Sequence, residues 1–123
     1  MSVANRWYDE EKRIILTEVG QTFSVEELLE AIDQGLEMLA AVDHRVDFIM
    51  DFAGNERWPD RMLSHYPQIA RKTDHPRNGE TVMVGLNSQT RVLAEVFSKV
   101  FRKMYYAETV EAAAEILRAK HQA

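Results

Sequence analysis

Between the apolar runs Arg13–Val19 (RIILTEV) and Val46–Phe52 (VDFIMDF) the chain carries one long helical stripe, and that order constrains the fold more than any other feature. Val25, Leu28, Leu29, Ile32, Leu36 and Leu39 recur at helical spacing, which buries one face of a helix of about five turns. Ser24 is placed to cap the free amides, Glu27 to return the hydrogen bond, and Phe23 to staple against Leu28. Two strands joined through such a helix need a crossover connection and lie parallel. VDFIMDF is mostly apolar, as expected of a strand covered on both faces by helices.

The alternation continues along the chain. Arg6 to Tyr8, the polar turn Asp9 to Lys12 and RIILTEV read as an opening hairpin closed by Gly20. Trp58-Pro59-Asp60 suits a helix start, but Pro67 interrupts the pattern of Met62, Leu63, Tyr66, Ile69 and Ala70, so the second helix is expected broken or as two short pieces. Lys72 to Glu80 (KTDHPRNGE) reads as a loop and Thr81 to Leu86 (TVMVGL) as a core strand. Asn87 or Ser88 caps a helix carrying Val92, Leu93, Val96, Phe97, Val100, Phe101 and Met104. Met104 to Ala107 forms a last strand, and Thr109 caps a closing helix with Val110, Ala113, Ala114 and Leu117 on one side. The expected fold is α/β: an N-terminal β-hairpin, then alternating helices and strands, giving a mostly parallel sheet of about five strands with four helices. The 123 residues fit a single domain spanning 1–123.

Charge and composition narrow the function classes. A net charge of −5 removes the general attraction to nucleic acid or an anionic membrane surface. Without cysteine there are no disulfides, thiolate metal sites or thiol catalysis. No apolar run approaches a membrane span, and MSVANRWYDEEKR lacks the apolar core of a signal peptide, so a cytoplasmic protein without membrane insertion is expected.

Catalytic signatures are missing. The sequence holds no glycine-rich phosphate loop and no Gly-x-Ser-x-Gly elbow, and His44, His65, His75 and His121 have no metal-ligand spacing. No metal, no cofactor and no catalytic residue are expected. Asp51 and Asp60 can be drawn as an acid–base pair, but bracing of the loop that follows the strand is the simpler role.

Ligands of open α/β sheets usually bind at the carboxyl ends of the strands. That rim gathers Gln21, Thr22, Asp51 to Trp58 and Asn87 to Arg91, with Asp51, Asn87, Ser88 and Arg91 as a candidate anion or ligand site and helix capping as the competing explanation. Trp58 beside Pro59, with Phe52, Met62 and Tyr66 nearby, lines either an apolar pocket, a partner-binding patch or the core.

The element order, VDFIMDF and the closing pattern YYAETVEAAAEIL resemble the STAS superfamily, the fold of bacterial anti-sigma factor antagonists (SpoIIAA-like) and of the cytoplasmic domains of sulfate transporters. More narrowly, the chain resembles the small stand-alone members of that superfamily, which begin with an aromatic-containing hairpin strand and end in a strand plus an alanine-rich helix. In the antagonists, an Asp-Ser-Ser-Gly-like helix start follows the corresponding strand and carries a serine phosphorylated by a partner kinase. Here that segment falls at Asp60-Arg61-Met62-Leu63, where only the aspartate matches and the phosphoacceptor is missing. Ser64 lies nearby but inside the expected helix, where a hydroxyl usually bonds its own backbone.

The resemblance implies a non-catalytic regulatory or protein-interaction domain that docks an unknown protein partner, or a second copy of itself, through Asn55, Trp58, Asp60, Arg61 and Ser64. The alternative is a carrier or sensor of a small apolar or lipid-like ligand, since lipid-transfer domains use a comparable scaffold with a mobile helix. A closed core around Trp58 would count against the carrier, and a deep apolar pocket against the flat interface.

Overall fold

The computed structural model describes residues 2–122. Strands β1 (Val3–Trp7), β2 (Ile14–Val19), β3 (Val46–Asp51), β4 (Asn78–Val84) and β5 (Tyr105–Ala107) form one sheet in the order β1-β2-β3-β4-β5. β1 and β2 are antiparallel and every later neighbour is parallel. Helices α1 (Val25–Ala40), α2 (Tyr66–Thr73), α3 (Ser88–Val100) and α4 (Val110–Gln122) complete the α/β fold read from the sequence.

The strand order dictates how the helices are layered. Crossovers between parallel strands are right-handed, so strands laid down successively in one direction send every connecting helix to the same face. Leu28 and Ala31 of α1, Tyr66 and Ile69 of α2, and Ala94 and Phe97 of α3 accordingly share one buried cluster. α4 follows the last strand and covers the other face, where Ala113, Ala114 and Leu117 pack on Ile14, Leu16, Ile49, Val82 and Val84. Among the described residues no helix is long and apolar enough to cross a membrane.

Local chemistry sets the boundaries. Ser24 accepts from the Glu27 amide and Glu27 returns the bond to the Ser24 amide, the expected capping box. β1 begins three residues earlier than the sequence reading placed it. Asn5 belongs there because its side chain is satisfied, donating to the Ala31 carbonyl at 2.7 Å and accepting from the Thr17 hydroxyl at 2.6 Å.

The second helix is in two pieces, but the joint differs. Trp58-Pro59-Asp60 is not helical; the chain turns through a left-handed Arg61 (φ 61°) into a 3-10 turn, Met62–His65, and Pro67 lies in the first turn of α2. A proline there removes an amide that has no helical partner.

The expected loop Lys72–Glu80 shrinks to Asp74–Arg77, because α2 runs to Thr73 and β4 starts at Asn78. Asn-Gly here marks a β-bulge, since Val46 pairs with Asn78 but Phe48 pairs with Thr81. Asp47, wholly buried, faces the bulge and accepts from the Glu80 amide at 2.7 Å. A Cβ on Gly79 would stand 2.0 Å from Asp47 Oδ1, so no side chain fits. His121 Nε2 at 2.5 Å and Arg45 Nε at 3.6 Å also pair with the Asp47 carboxylate, fastening the end of α4 to the sheet.

Candidate functional site

The three helices on the first face do not fill the space above the sheet. Asn5, Thr17, Met50, Met83 and Tyr106 form one row across all five strands on that face. Above this row lies a cavity of about 120 Å³. Its walls are mostly apolar: Leu28, Ala31 and Leu36 of α1, Phe48 and Met50 of β3, and Phe97 of α3. An apolar cavity of roughly 150 Å³ is enough to hold benzene, so this space has the scale of a small ligand.

One end of the cavity lies beneath the DFAGNERWPDRM segment. Trp58 lines it, is only 8% exposed, and stacks at 5.4 Å on Phe52. This corrects the expectation of an exposed tryptophan: the extended chain before Arg61 lays the indole against Phe52 and Met62 in the core. Its Nε1–H is buried and finds no acceptor among the described residues. Asn55 is buried too, its Nδ2 donating to the carbonyls of Gly20 (2.9 Å), Gln21 (3.3 Å) and Arg57 (3.2 Å), so it ties the segment to the end of β2.

The carboxyl-end rim is stitched together. Asp51 Oδ1 accepts from the Ala53 amide at 2.9 Å, the expected brace. Glu56 accepts from Gln21 Nε2 at 2.8 Å, and its carbonyl accepts from Asn87 Nδ2 at 2.9 Å. Asn87 Oδ1 caps α3 through the Thr90 amide. Arg91 pairs with Glu95 at 3.1 Å and stacks 3.8 Å over the Tyr106 ring, so it is already engaged. Ser88 is exposed on the first turn of α3. Asp60, Arg61 and Ser64 are exposed, with the Ser64 hydroxyl donating to the Arg61 carbonyl at 2.7 Å. Asp60 makes no side-chain hydrogen bond among the described residues, unlike the brace expected of it.

The opposite end of the cavity is polar, and sequence reasoning missed it. Arg102, just past α3, lines the cavity with Thr73, Asn78 and Thr81. Its guanidinium donates to the carbonyls of Thr73 (3.1 Å), Asn78 (3.2 Å) and Gly79. Burial pulls its pKa down from the usual arginine range, against the opposing pull of Glu80, Asp74 and Asp47. Nothing in the run FRKM separates Arg102 from its lysine neighbour; only the fold turns it inward. Asn5 and Thr17 had a legible signal, since Val3, Asn5 and Trp7 share a face once the strand is started at Val3.

Tyr66 closes the roof between α2 and α3, its hydroxyl donating to the Leu93 carbonyl at 2.6 Å. Desolvation, and secondarily Tyr106, pushes its pKa up to about 12, so it remains a donor at neutral pH. Among the described residues no group of histidines and carboxylates could hold a metal ion. Comparison with protein-family models and with curated proteins finds no match to this chain.

Proposed function

We propose that this protein is a non-catalytic binding protein, a carrier or sensor that encloses one small apolar molecule between its helical layer and its sheet. The observation that supports this reading is the cavity of about 120 Å³ walled by Leu, Ile, Met and Phe side chains. Well-packed domains of this size seldom leave such a space, because every missing contact costs stability. Met50 and Met83 at its floor are unbranched and adapt to an occupant.

A titration of benzene and of indole into labelled protein, followed through the Trp58 indole N–H and the methyl groups of Met50 and Met83, tests the reading. Saturable shifts at these three groups are expected. Ala31→Leu, which places extra carbons in the cavity, should abolish them while the protein stays folded. Shifts that persist in the Ala31→Leu variant would place the probes elsewhere.

The resemblance to STAS regulatory domains supports a second reading, docking of a protein partner on the outside of the same segment. Asp60, Arg61, Leu63 and Ser64 are exposed there, and Arg61 is held in a backbone conformation that few non-glycine residues adopt. Asn55 and Trp58 then shape the surface from beneath rather than touch the partner. Affinity purification from host cells with wild type and Arg61→Glu decides: loss of a partner supports docking, and identical partners refute it.

A further inference from the structure

We propose that the ligand is a single uncharged aromatic ring, preferred over an aliphatic molecule of the same size by the sulfur and aromatic side chains around the cavity. This rests on the reading of the cavity as a binding site and specifies its chemistry. Met50, Met62, Met83 and Met104 all line the cavity, and of the methionines among the described residues only Met38 lies elsewhere. They reach it from four parts of the chain: β3, the 3-10 turn, β4 and the residue before β5. Met50 and Met83 are paired across β3 and β4, which sets their side chains next to each other on the cavity floor.

Core filling alone does not call for this grouping, because leucine occupies nearly the same volume with better-defined rotamers. A thioether offers an occupant two things that leucine lacks. It is unbranched and adapts to the shape beside it, and its sulfur is attracted to an aromatic ring at a separation of about 5 Å. An aliphatic molecule draws on the first property only.

The aromatic side chains on the walls add a second, independent observation. Phe52 stacks on Trp58 at 5.4 Å, and Tyr66 meets Phe97 edge to face at 5.0 Å. Phe23 and Phe48 also line the cavity but pair with no aromatic ring among the described residues, and Phe48, on the central strand, is still partly exposed. Aromatic pairs favour offset or edge-to-face packing with centroids about 4.5–7 Å apart. A ring in the cavity supplies that partner to Phe48, and it lies beside Met50, two residues along the same face of β3. Leu28, Ala31 and Leu36 opposite offer nothing to a charge, so the ring is a neutral one.

The probes are benzene and cyclopentane, close in size, titrated calorimetrically into wild type, Met50→Leu/Met83→Leu and Phe48→Leu. A cavity indifferent to aromaticity takes cyclopentane the more tightly, because water rejects it more strongly. Wild type should nonetheless bind benzene at least as tightly as cyclopentane. Each variant should weaken benzene roughly threefold or more, the scale of the sulfur–aromatic or ring–ring contacts removed, and leave cyclopentane within about twofold. The Met→Leu changes conserve volume and keep the fold; should one variant fail to fold, the other decides together with the wild-type comparison. Tighter binding of cyclopentane by wild type, or equal weakening of both probes in the variants, would overturn the aromatic assignment and leave the apolar site standing. No binding of either probe would overturn both.

Discussion

Gly79 carries more of this fold than its type suggests. It lies at the bulge where β4 passes the buried Asp47 carboxylate, and Arg102 bonds its carbonyl. Gly79→Ala should therefore cost about 2–3 kcal/mol, the scale of overpacking in a site that cannot relax, measured by urea denaturation. Glu27 shows a weaker effect with a definite sign. Its carboxyl lies below the ordinary 4.5 because the Ser2 hydroxyl and then the Ser24 amide bond its charged form. A depressed carboxylate contributes stability that is complete above the unfolded value and lost as pH falls through the folded one. The melting temperature of wild type should thus exceed that of Glu27→Gln above pH 4.5, and the gap should close on further acidification. A gap independent of pH would refute this account of Glu27. Single residues were also where reading the sequence was least secure. Asn-Gly signals a turn by composition, yet here it is a bulge, because the reason for the glycine is a carboxylate distant in sequence.

Elements were more legible than residues, and the failures have physical causes. The capping box at Ser24 follows from local hydrogen bonding and was read from the sequence; the cap of α3, read as Asn87 or Ser88, is Asn87, and Thr90 closes a box there that the reading did not include. The apolar stripe of α3 was legible as a helix but not as an orientation. Ala94 and Phe97 face the core, whereas Val92 and Val100 are 63% and 65% exposed. Apolar residues surround so much of this helix that periodicity cannot choose a face; the small Thr90 and Ala94, packed on the core, decide it. Phe97→Ala should accordingly cost about 3–5 kcal/mol. Val92→Glu and Val100→Glu should each stay within about 0.5 kcal/mol of wild type by the same denaturation measurement. Equal losses at Phe97 and Val100 would contradict the observed orientation.

At the scale of the whole molecule, a five-stranded sheet in sequential order puts three helices on one face and one on the other. The hairpin, the mostly parallel sheet and the four helices were readable from the alternation of strand and helix signals; the sequential strand order and the uneven layering come from the structure. The space beneath the three helices was not readable either, because a cavity is the part of a packed layer that no side chain reaches, and no single segment encodes it. Sequence reading looked to the strand carboxyl ends, found Trp58 there and gave it the surface. The fold turned it inward to wall one end of the cavity, and brought Arg102 to the other end from the far side of α3. A ligand that binds there adds stability by mass action, so benzene at one hundred times its dissociation constant should raise the unfolding free energy by about 2.7 kcal/mol.

The central claim is that an accessible apolar site lies between the helices and the sheet, and diffraction from a crystal held under xenon tests it most directly. Xenon enters dry apolar cavities and leaves polar or filled ones empty. The account predicts a xenon atom enclosed by Ala31, Phe48 and Met50 in wild type and its loss in Ala31→Leu. Xenon-free density there, with Met50 and Phe97 in contact across the space, would contradict it.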